Sequence, residues 1–312
     1  LSSARCSCAF FRLTLSAYPT VNDMSGINYE KMNIQWFPGH MTKAQRMIED
    51  SIKQVDAVCE ILDARIPNSS RNPDIDRLAS GKPRLIILNR TDLADPKVTA
   101  QWRVFFEAQG IKILETDAKS GKGVNGFAPA LRELLKNKIA DYAAKGQVNR
   151  PMRVMILGIP NVGKSTFINK VAKRKAAIAG DKPGVTRGKQ WINIDKGLDL
   201  LDTPGILWPK FDSQEVGEML AITNAIKADV LDKETLAANF MLRLRDMYPE
   251  ALTARYKFEP DPEMNGFELL EEAAKKRGFL VSKGEYDIER MANTLLGEYH
   301  DGKLGRISLE KP

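Results

Sequence analysis

The sequence predicts a doubly wound α/β domain joined to a C-terminal all-α domain, and three observations predict it. Apolar stretches at 57–65, 84–92 and 111–115 alternate with segments of helical period, the pattern of parallel strands connected by crossover helices. A further apolar strand, 154–157, runs straight into Gly158, Gly163, Lys164 and Ser165 at the spacing G-x-x-x-x-G-K-S. That spacing makes a turn whose backbone N–H groups curl around phosphate oxygens at the start of a helix. From about Ser213 onward the strands stop and only helical periodicity remains, which places a domain boundary between 212 and 213.

With 312 residues the chain has length for one large and one smaller domain. Its 43% hydrophobic and 28% charged content describes a globular protein, and no apolar run is long enough to cross a bilayer as a helix, so no membrane partner is expected. The formal charge of +7 and pI near 9.2 favour a polyanionic partner. Cys6, Cys8 and Cys59 make neither a disulfide framework nor a four-ligand zinc site, so a reducing compartment is expected. Residues 1–31 are set aside from the fold. Their Ser/Arg-rich, acid-poor character fits a transit peptide, and hence a mitochondrial location, or sequence upstream of a start at Met24 or Met32, and hence a cytoplasmic one. The second is preferred because organised sequence begins directly after Met32.

In chain order, Met41, Ala44, Met47, Ile48, Ile52 and Val55 fall at helical spacing after a Pro38-Gly39 turn, with His40 at the helix start. The strand over 57–62 ends in Asp63 and Arg65, and 66–78 reads as a polar loop and short helix. The strand over 84–88 ends at Asn89, Arg90, Thr91 and Asp92. A helix around Trp102, Phe105 and Phe106 follows, then a third strand ending at Asp117, Ala118 and Lys119. A helix through Leu131, Leu134 and Leu135 and a polar linker, 145–151, lead into the phosphate loop. Beyond its helix come the loop 182–188 with Thr186 and two strands, 191–195 and 198–202, that deliver Asp202, Thr203, Pro204 and Gly205. Ligands of such sheets collect beyond the C-terminal strand ends, so 89–92, 117–123 and the phosphate loop are expected at one mouth.

Each motif carries a piece of nucleotide chemistry. The backbone of Asn161, Val162, Gly163 and Thr166 cradles phosphates, Lys164 reaches the β- and γ-phosphate oxygens as a point charge, and Ser165 offers a hydroxyl to Mg²⁺. Asp202 opens D-x-x-G after an apolar strand: its carboxylate holds Mg²⁺ through a water, while the Gly205 amide meets the terminal phosphate. Thr186 is placed as the switch threonine that completes the Mg²⁺ ligands, with an ordinary loop threonine as the alternative. Asn89-Arg90-Thr91-Asp92 resembles the guanine-reading N-K-x-D. There one carboxylate, Asp92, accepts from the ring N1–H and the 2-amino group, a donor pair that adenine lacks, and Asn89 ties the loop to the phosphate loop. Arg90 replaces the usual Lys, and its aliphatic stem can cover the base. Asp117-Ala118-Lys119 takes the place of S-A-K, which meets the base oxygen through a main-chain amide. Asn161 is placed like the asparagine that helps hold K⁺ in related GTPases, with local loop hydrogen bonding as the alternative. GTP and Mg²⁺ are therefore the expected ligands, and K⁺ a further expectation.

These elements stand in an order opposite to that of a linear Ras-like chain: base-reading loops first, phosphate loop and switches afterwards. A doubly wound fold tolerates such a rearrangement because its ends lie close together, and 145–151 is then the join. The stretches QWFPGHM, LDARIPNSSRNP, GIPNVGKST, KPGVTRG and DTPGIL, in that order, resemble the ribosome biogenesis GTPase A (YlqF/RbgA) family of circularly permuted GTPases, from residue 34 to the end. The resemblance implies a permuted GTPase domain at 32–212 and a helical RNA- and ribosome-binding domain at 213–312. It also implies GTP hydrolysis coupled to late assembly of the large (50S) ribosomal subunit. Ile206 follows D-x-x-G where Ras-like enzymes carry a water-orienting glutamine, and an isoleucine side chain makes no hydrogen bond. The resemblance assigns that task to His40, with a helix-cap or packing histidine as the alternative.

In the C-terminal region, Phe267, Leu269, Leu270, Ala273 and Ala274 form one stripe and Ile288, Met291, Ala292, Leu295 and Leu296 another. Lys275, Lys276, Arg277, Lys283, Lys303 and Arg306 beside them are candidates to meet rRNA phosphates, against the reading of a solvated basic face. The expected partners are the large ribosomal subunit and its rRNA, with the protein a monomer. Two rivals stand beside this reading: a phosphotransferase built on the same loop, and an RNA-binding scaffold that uses GTP only for stability.

Overall fold

The computed structural model describes residues 40–79, 81–148, 150–173, 190–203, 205, 207, 211, 213–226, 232–281 and 284–312, with side chains from Arg46 onward. A six-stranded sheet forms the centre: β1 (Ala57–Asp63), β2 (Arg84–Asn89), β3 (Lys112–Glu115), β4 (Met152–Leu157), β5 (Gln190–Asp195) and β6 (Leu198–Asp202). In space the order is β3-β2-β1-β4-β6-β5, parallel throughout except for the antiparallel β5–β6 pair. From β1 the chain works outward through β2 to β3. It then crosses back to β4, passes to β5 at the opposite edge, and folds back antiparallel as β6 between β5 and β4. The reversal falls between β1 and β4, and in open parallel sheets the ligand crevice lies at that reversal.

Alternation along each strand feeds two helical layers. Val58, Met155, Leu157 and Leu201 pack with Ile48 and Ile52 of α1 (His40–Ile52) and Ile75 of α2 (Asp74–Leu78). Leu62, Ile86 and Leu88 pack with Val98, Trp102 and Phe106 of α3 (Pro96–Ala108). The opposite parity, with Cys59, Ile61, Ile87 and Ile156, meets Phe127 of α4 (Phe127–Leu134), α5 (Lys136–Ala144) following it, and Phe167 of α6 (Lys164–Val171). Phe127 and Phe167 touch edge to face at 5.0 Å between centroids. The helix expected through Leu135 is in fact two. The chain leaves helical geometry at the buried Leu135 (φ −102°, ψ 9°), and α5 beyond it buries no residue.

Residues from α7 (Gln214–Ile222) onward are helical: α8 (Lys233–Met247), α9 (Pro249–Tyr256), α10 (Gly266–Arg277) and α11 (Ile288–His300). Their starts are capped by side chains, as with Ser213 before α7, Asp232 before α8 and an Asn265–Glu268 capping box at α10. α8 is central, with Phe240, Met241 and Leu244 buried against Leu269, Leu270 and Ala273 of α10 and Met291 and Leu295 of α11. Both predicted stripes are core, except that Phe267 is 37% exposed and Ile288 is half-buried. No helix of the described residues is long and apolar enough to cross a membrane.

The chain does not end on this bundle. After α11, residues 304–310 return to the sheet domain: Leu304, Ile307 and Leu309 are buried, Ile307 N–H donates to Leu93 O at 2.9 Å, and Leu309 N–H donates to Arg65 O at 2.8 Å. The indole of Trp102 in turn donates to Glu310 O at 3.1 Å.

Candidate functional site

The strand register brings the candidate loops level. Glu60 lies beside Leu157, Asp63 beside Asn89, and Ile156 beside Asp202, so the segments leaving β1, β2, β4 and β6 all emerge at one end of the sheet. The phosphate loop spans from the end of β4 to the start of α6. Val162 is buried beneath it, and Gly163 turns the chain with a left-handed φ of 90°. A Cβ on Gly163 would stand 2.5 Å from Asn89 Nδ2, so both the conformation and the close approach demand glycine. Ser165 and Thr166 occupy the first turn of α6, half-buried.

Lys164 lies beneath this loop, 7% exposed. Its ammonium donates to Asp202 Oδ1 at 2.5 Å and to Thr203 O. Burial pulls the lysine below its ordinary pKa, with the Asp202 carboxylate opposing that pull. The Thr203 hydroxyl donates to Ile156 O at 2.8 Å, which anchors the strand end carrying Asp202 against β4. Gly205 passes over the loop so closely that a Cβ there would lie 3.0 Å from Pro160 N. Ser165 and Asp202 thus supply a hydroxyl and a carboxylate on adjacent elements, hard oxygen donors that suit Mg²⁺. Among the described residues no group of three or more His, Cys, Asp or Glu is arranged to hold a metal.

Asn89 joins three loops. Its amide nitrogen donates to Val162 O at 2.7 Å, and its amide oxygen accepts from Ala118 N–H at 3.0 Å and from the Thr116 hydroxyl at 3.1 Å. Thr91 adds its N–H and hydroxyl to Thr116 O, at 3.2 and 3.1 Å. Asp117 shapes its own turn by accepting from the N–H groups of Lys119 and Ser120. Burial raises its carboxyl, but the Ser120 hydroxyl and these N–H groups outweigh that and hold it below the usual carboxylate range. Asp92 is exposed at the mouth. Within Asp117-Ala118-Lys119 the Ala118 amide is engaged by Asn89, and Arg90 sends its guanidinium inward to Asn161 O at 2.5 Å and towards Asp63 at 3.7 Å. The Asn161 side chain donates to Asn224 O at 2.7 Å, just past the end of α7.

Thr186 and Ile206 lie outside the described residues, as does the side chain of His40; the His40 backbone opens α1. Sequence reasoning missed what lies behind the loop at 89–92. Arg65, fully buried, grips Asp63 through Nε at 3.0 Å and Nη2 at 2.8 Å and sits 4.8 Å above the Tyr299 ring of α11. Burial raises the Asp63 carboxyl, but Arg65 overrides it and keeps the pKa below its ordinary value. Asp63 and Arg65 ending a strand were the available signal; their partner on a distant helix was not.

The family described as 50S ribosome-binding GTPase matches residues 153–247, a span that begins at β4 and leaves the base-reading loops upstream. The ribosome biogenesis GTPase A of Bacillus licheniformis is 46% identical over 281 residues, covering 90% of this chain and 99% of that protein. Its counterpart in Thermotoga maritima is 33% identical, covering 89% of this chain and 95% of that one. The crystal structure of GNP-bound YlqF from T. maritima aligns with a TM-score of 0.60 at 31% identity, over 86% of this chain and 98% of the other. With the phosphate loop, the strand order and the loops after β2 and β3 converging as described, the chain is a circularly permuted GTP hydrolase and belongs to the ribosome biogenesis GTPase A family.

Proposed function

We propose that this GTPase is a switch in late assembly of the large (50S) ribosomal subunit, binding the immature particle and its rRNA in the GTP form and leaving after hydrolysis. The names of the relatives support ribosome assembly, and their bacterial origin supports a cytoplasmic location. The observation that carries the nucleotide reading is the Asn89 amide, whose hydrogen bonds to Val162, Ala118 and Thr116 unite base-reading and phosphate-binding loops 73 residues apart in the chain.

In this reading Asp92 reads the guanine N1–H and 2-amino group, with Arg90, Thr91, Asp117 and Ala118 shaping the base pocket. Asn161, Val162, Gly163, Ser165 and Thr166 present backbone N–H groups to the phosphates. Lys164 exchanges Asp202 and the Thr203 carbonyl for phosphate oxygens, which releases the Asp202 carboxylate. Ser165 and Thr186 would hold Mg²⁺ with Asp202 acting through a water, and the ion would neutralise charge developing on the phosphates. The Gly205 amide meets the γ-phosphate, so the strand end that runs on towards α7 senses nucleotide state. K⁺ is proposed beside Asn161, and the protein acts as a monomer.

Hydrolysis requires a water aligned with the terminal phosphorus. His40, neutral, accepts that water's proton as the new P–O bond forms; the bond to the bridging oxygen breaks and GDP leaves with the electron pair. The test is single-turnover hydrolysis with and without purified large subunits. Wild type is expected to be slow alone and stimulated by subunits, and His40→Ala to lose the stimulation while binding GTP normally. Equal stimulated rates would remove His40. Competition by ATP as effective as that by GTP would remove the guanine reading.

A further inference from the structure

Asp92 stands on a tight turn whose shape is held from the far end of the chain. The turn closes by Leu93 N–H to Arg90 O at 3.0 Å, and Arg90 has a left-handed φ of 64°, a conformation that a non-glycine residue keeps only where its surroundings enforce it. Arg90 itself is held by Asn161 O and Asp63, Thr91 is tied to Thr116 O, and residues 306–308 hold the rest of the turn. Arg306 donates through Nη2 to Thr91 O at 2.6 Å and through Nε to Ala94 O at 2.9 Å. Ile307 N–H donates to Leu93 O at 2.9 Å, and Asp95 N–H donates to the Ser308 hydroxyl at 3.1 Å. The peptide groups on both sides of Asp92 are thereby fixed, while its carboxylate stays exposed to a ligand. The tail is anchored besides by the burial of Leu304, Ile307 and Leu309.

We infer that the C-terminal segment 306–308, with Arg306 as a positioning residue, sets the guanine discrimination exercised by Asp92. The inference rests on the proposed reading of Asp92. A carboxylate distinguishes the 2-amino group only if both its oxygens are aimed at the donor pair, and a turn free to rock loses that aim first. The planar guanidinium fork suits the task because it spans two carbonyls three residues apart; a lysine offers a single ammonium and reaches one of them. The helical region therefore enters the nucleotide site from the base side as well as through the connection from β6 to α7.

The test compares affinities of the full-length protein for GDP and for inosine diphosphate, which lacks the 2-amino group, in wild type, Arg306→Ala, Arg306→Lys and Asp92→Asn. Arg306→Ala is expected to weaken GDP binding roughly tenfold. Its GDP-to-inosine-diphosphate ratio should fall towards that of Asp92→Asn, with Arg306→Lys between the two. A general loosening of the fold would weaken both nucleotides together and leave the ratio at its wild-type value, and that result overturns the inference. If Asp92→Asn itself leaves the ratio unchanged, the reading of Asp92 is what fails. If Asp92→Asn collapses the ratio and Arg306→Ala does not, the role of Arg306 alone is refuted.

Discussion

Asn89 shows how much a single buried amide can organise, because it is donor and acceptor at once. Truncation to alanine leaves Val162 O and Ala118 N–H without the partner each has in the folded protein. Asn89→Ala is therefore expected to lower the unfolding free energy by about 2 to 4 kcal/mol, read from urea melts, and to speed GDP release. A release rate equal to wild type would mean that the three loops hold together without it. That a residue of this kind belonged at position 89 was legible, since N-x-x-D demands it. Where Arg90 points was not. Its guanidinium goes to Asn161 O, 71 residues downstream, and towards the buried Asp63, and no spacing rule exposes a carbonyl as a partner. Charged residues read as surface residues in a sequence, so the fully buried Arg65 was equally hidden.

At the scale of elements, strands and helices were legible because hydrophobic period tracks burial directly. The tail at 304–310 was not, since a short extended segment has too few residues to show a period, and its acceptors lie more than 200 positions away. Its last anchor is Glu310, 3% exposed, whose carboxylate accepts from Asn68 N–H and Ser69 N–H and from the Ser69 hydroxyl. Burial pushes this carboxyl up to about 7, against the lowering effect of those donors, with the Glu215 carboxylate adding to the rise. The folded state thus binds the proton more tightly than the unfolded chain. The resulting stabilisation is complete below the ordinary glutamate pKa and is lost as pH rises through about 7. Across that window the loss is about 3 kcal/mol. Glu310→Gln stays neutral, so its stability relative to wild type should rise between pH 5 and pH 8, on the order of 2 to 3 kcal/mol in denaturant melts. A difference between the two proteins that is flat with pH would show that Glu310 does not titrate in this range.

At the scale of the whole molecule, the positive charge is not where a helical RNA-binding domain would lead one to look. Residues 32–212 carry 30 Lys and Arg against 19 Asp and Glu, whereas residues 213–312 carry 14 against 19. The helical cations expected to meet phosphates have local partners besides: Lys275 and Lys276 stand 3.5 and 3.6 Å from Glu272, Arg277 lies 2.8 Å from Glu298, and Lys303 lies 2.8 Å from Asp301. Arg306 is committed to the base-reading turn, and Lys283 lies outside the described residues. On the sheet domain, by contrast, Lys136, Lys145 and Arg150 are exposed on α5 and the linker. Arg150 stacks on Tyr142 at 4.2 Å, and the neighbouring Lys138 pairs with Asp56 at 2.7 Å, just before β1 begins. That places them at the N-terminal ends of the strands, away from the phosphate loop. Each Lys or Arg that neutralises an RNA phosphate adds roughly 0.7 to 0.9 to the slope of log affinity against log salt. If rRNA contact follows the charge, the triple variant Lys136→Ala, Lys145→Ala, Arg150→Ala should bind large-subunit rRNA with a slope shallower by roughly 2 to 3, with GDP affinity unchanged. Lys275→Ala with Lys276→Ala should leave the slope as it is. The reverse pattern in salt titrations of the two variants would return the RNA contact to the helical domain, and the excess charge of the sheet domain would then need another polyanion to explain it.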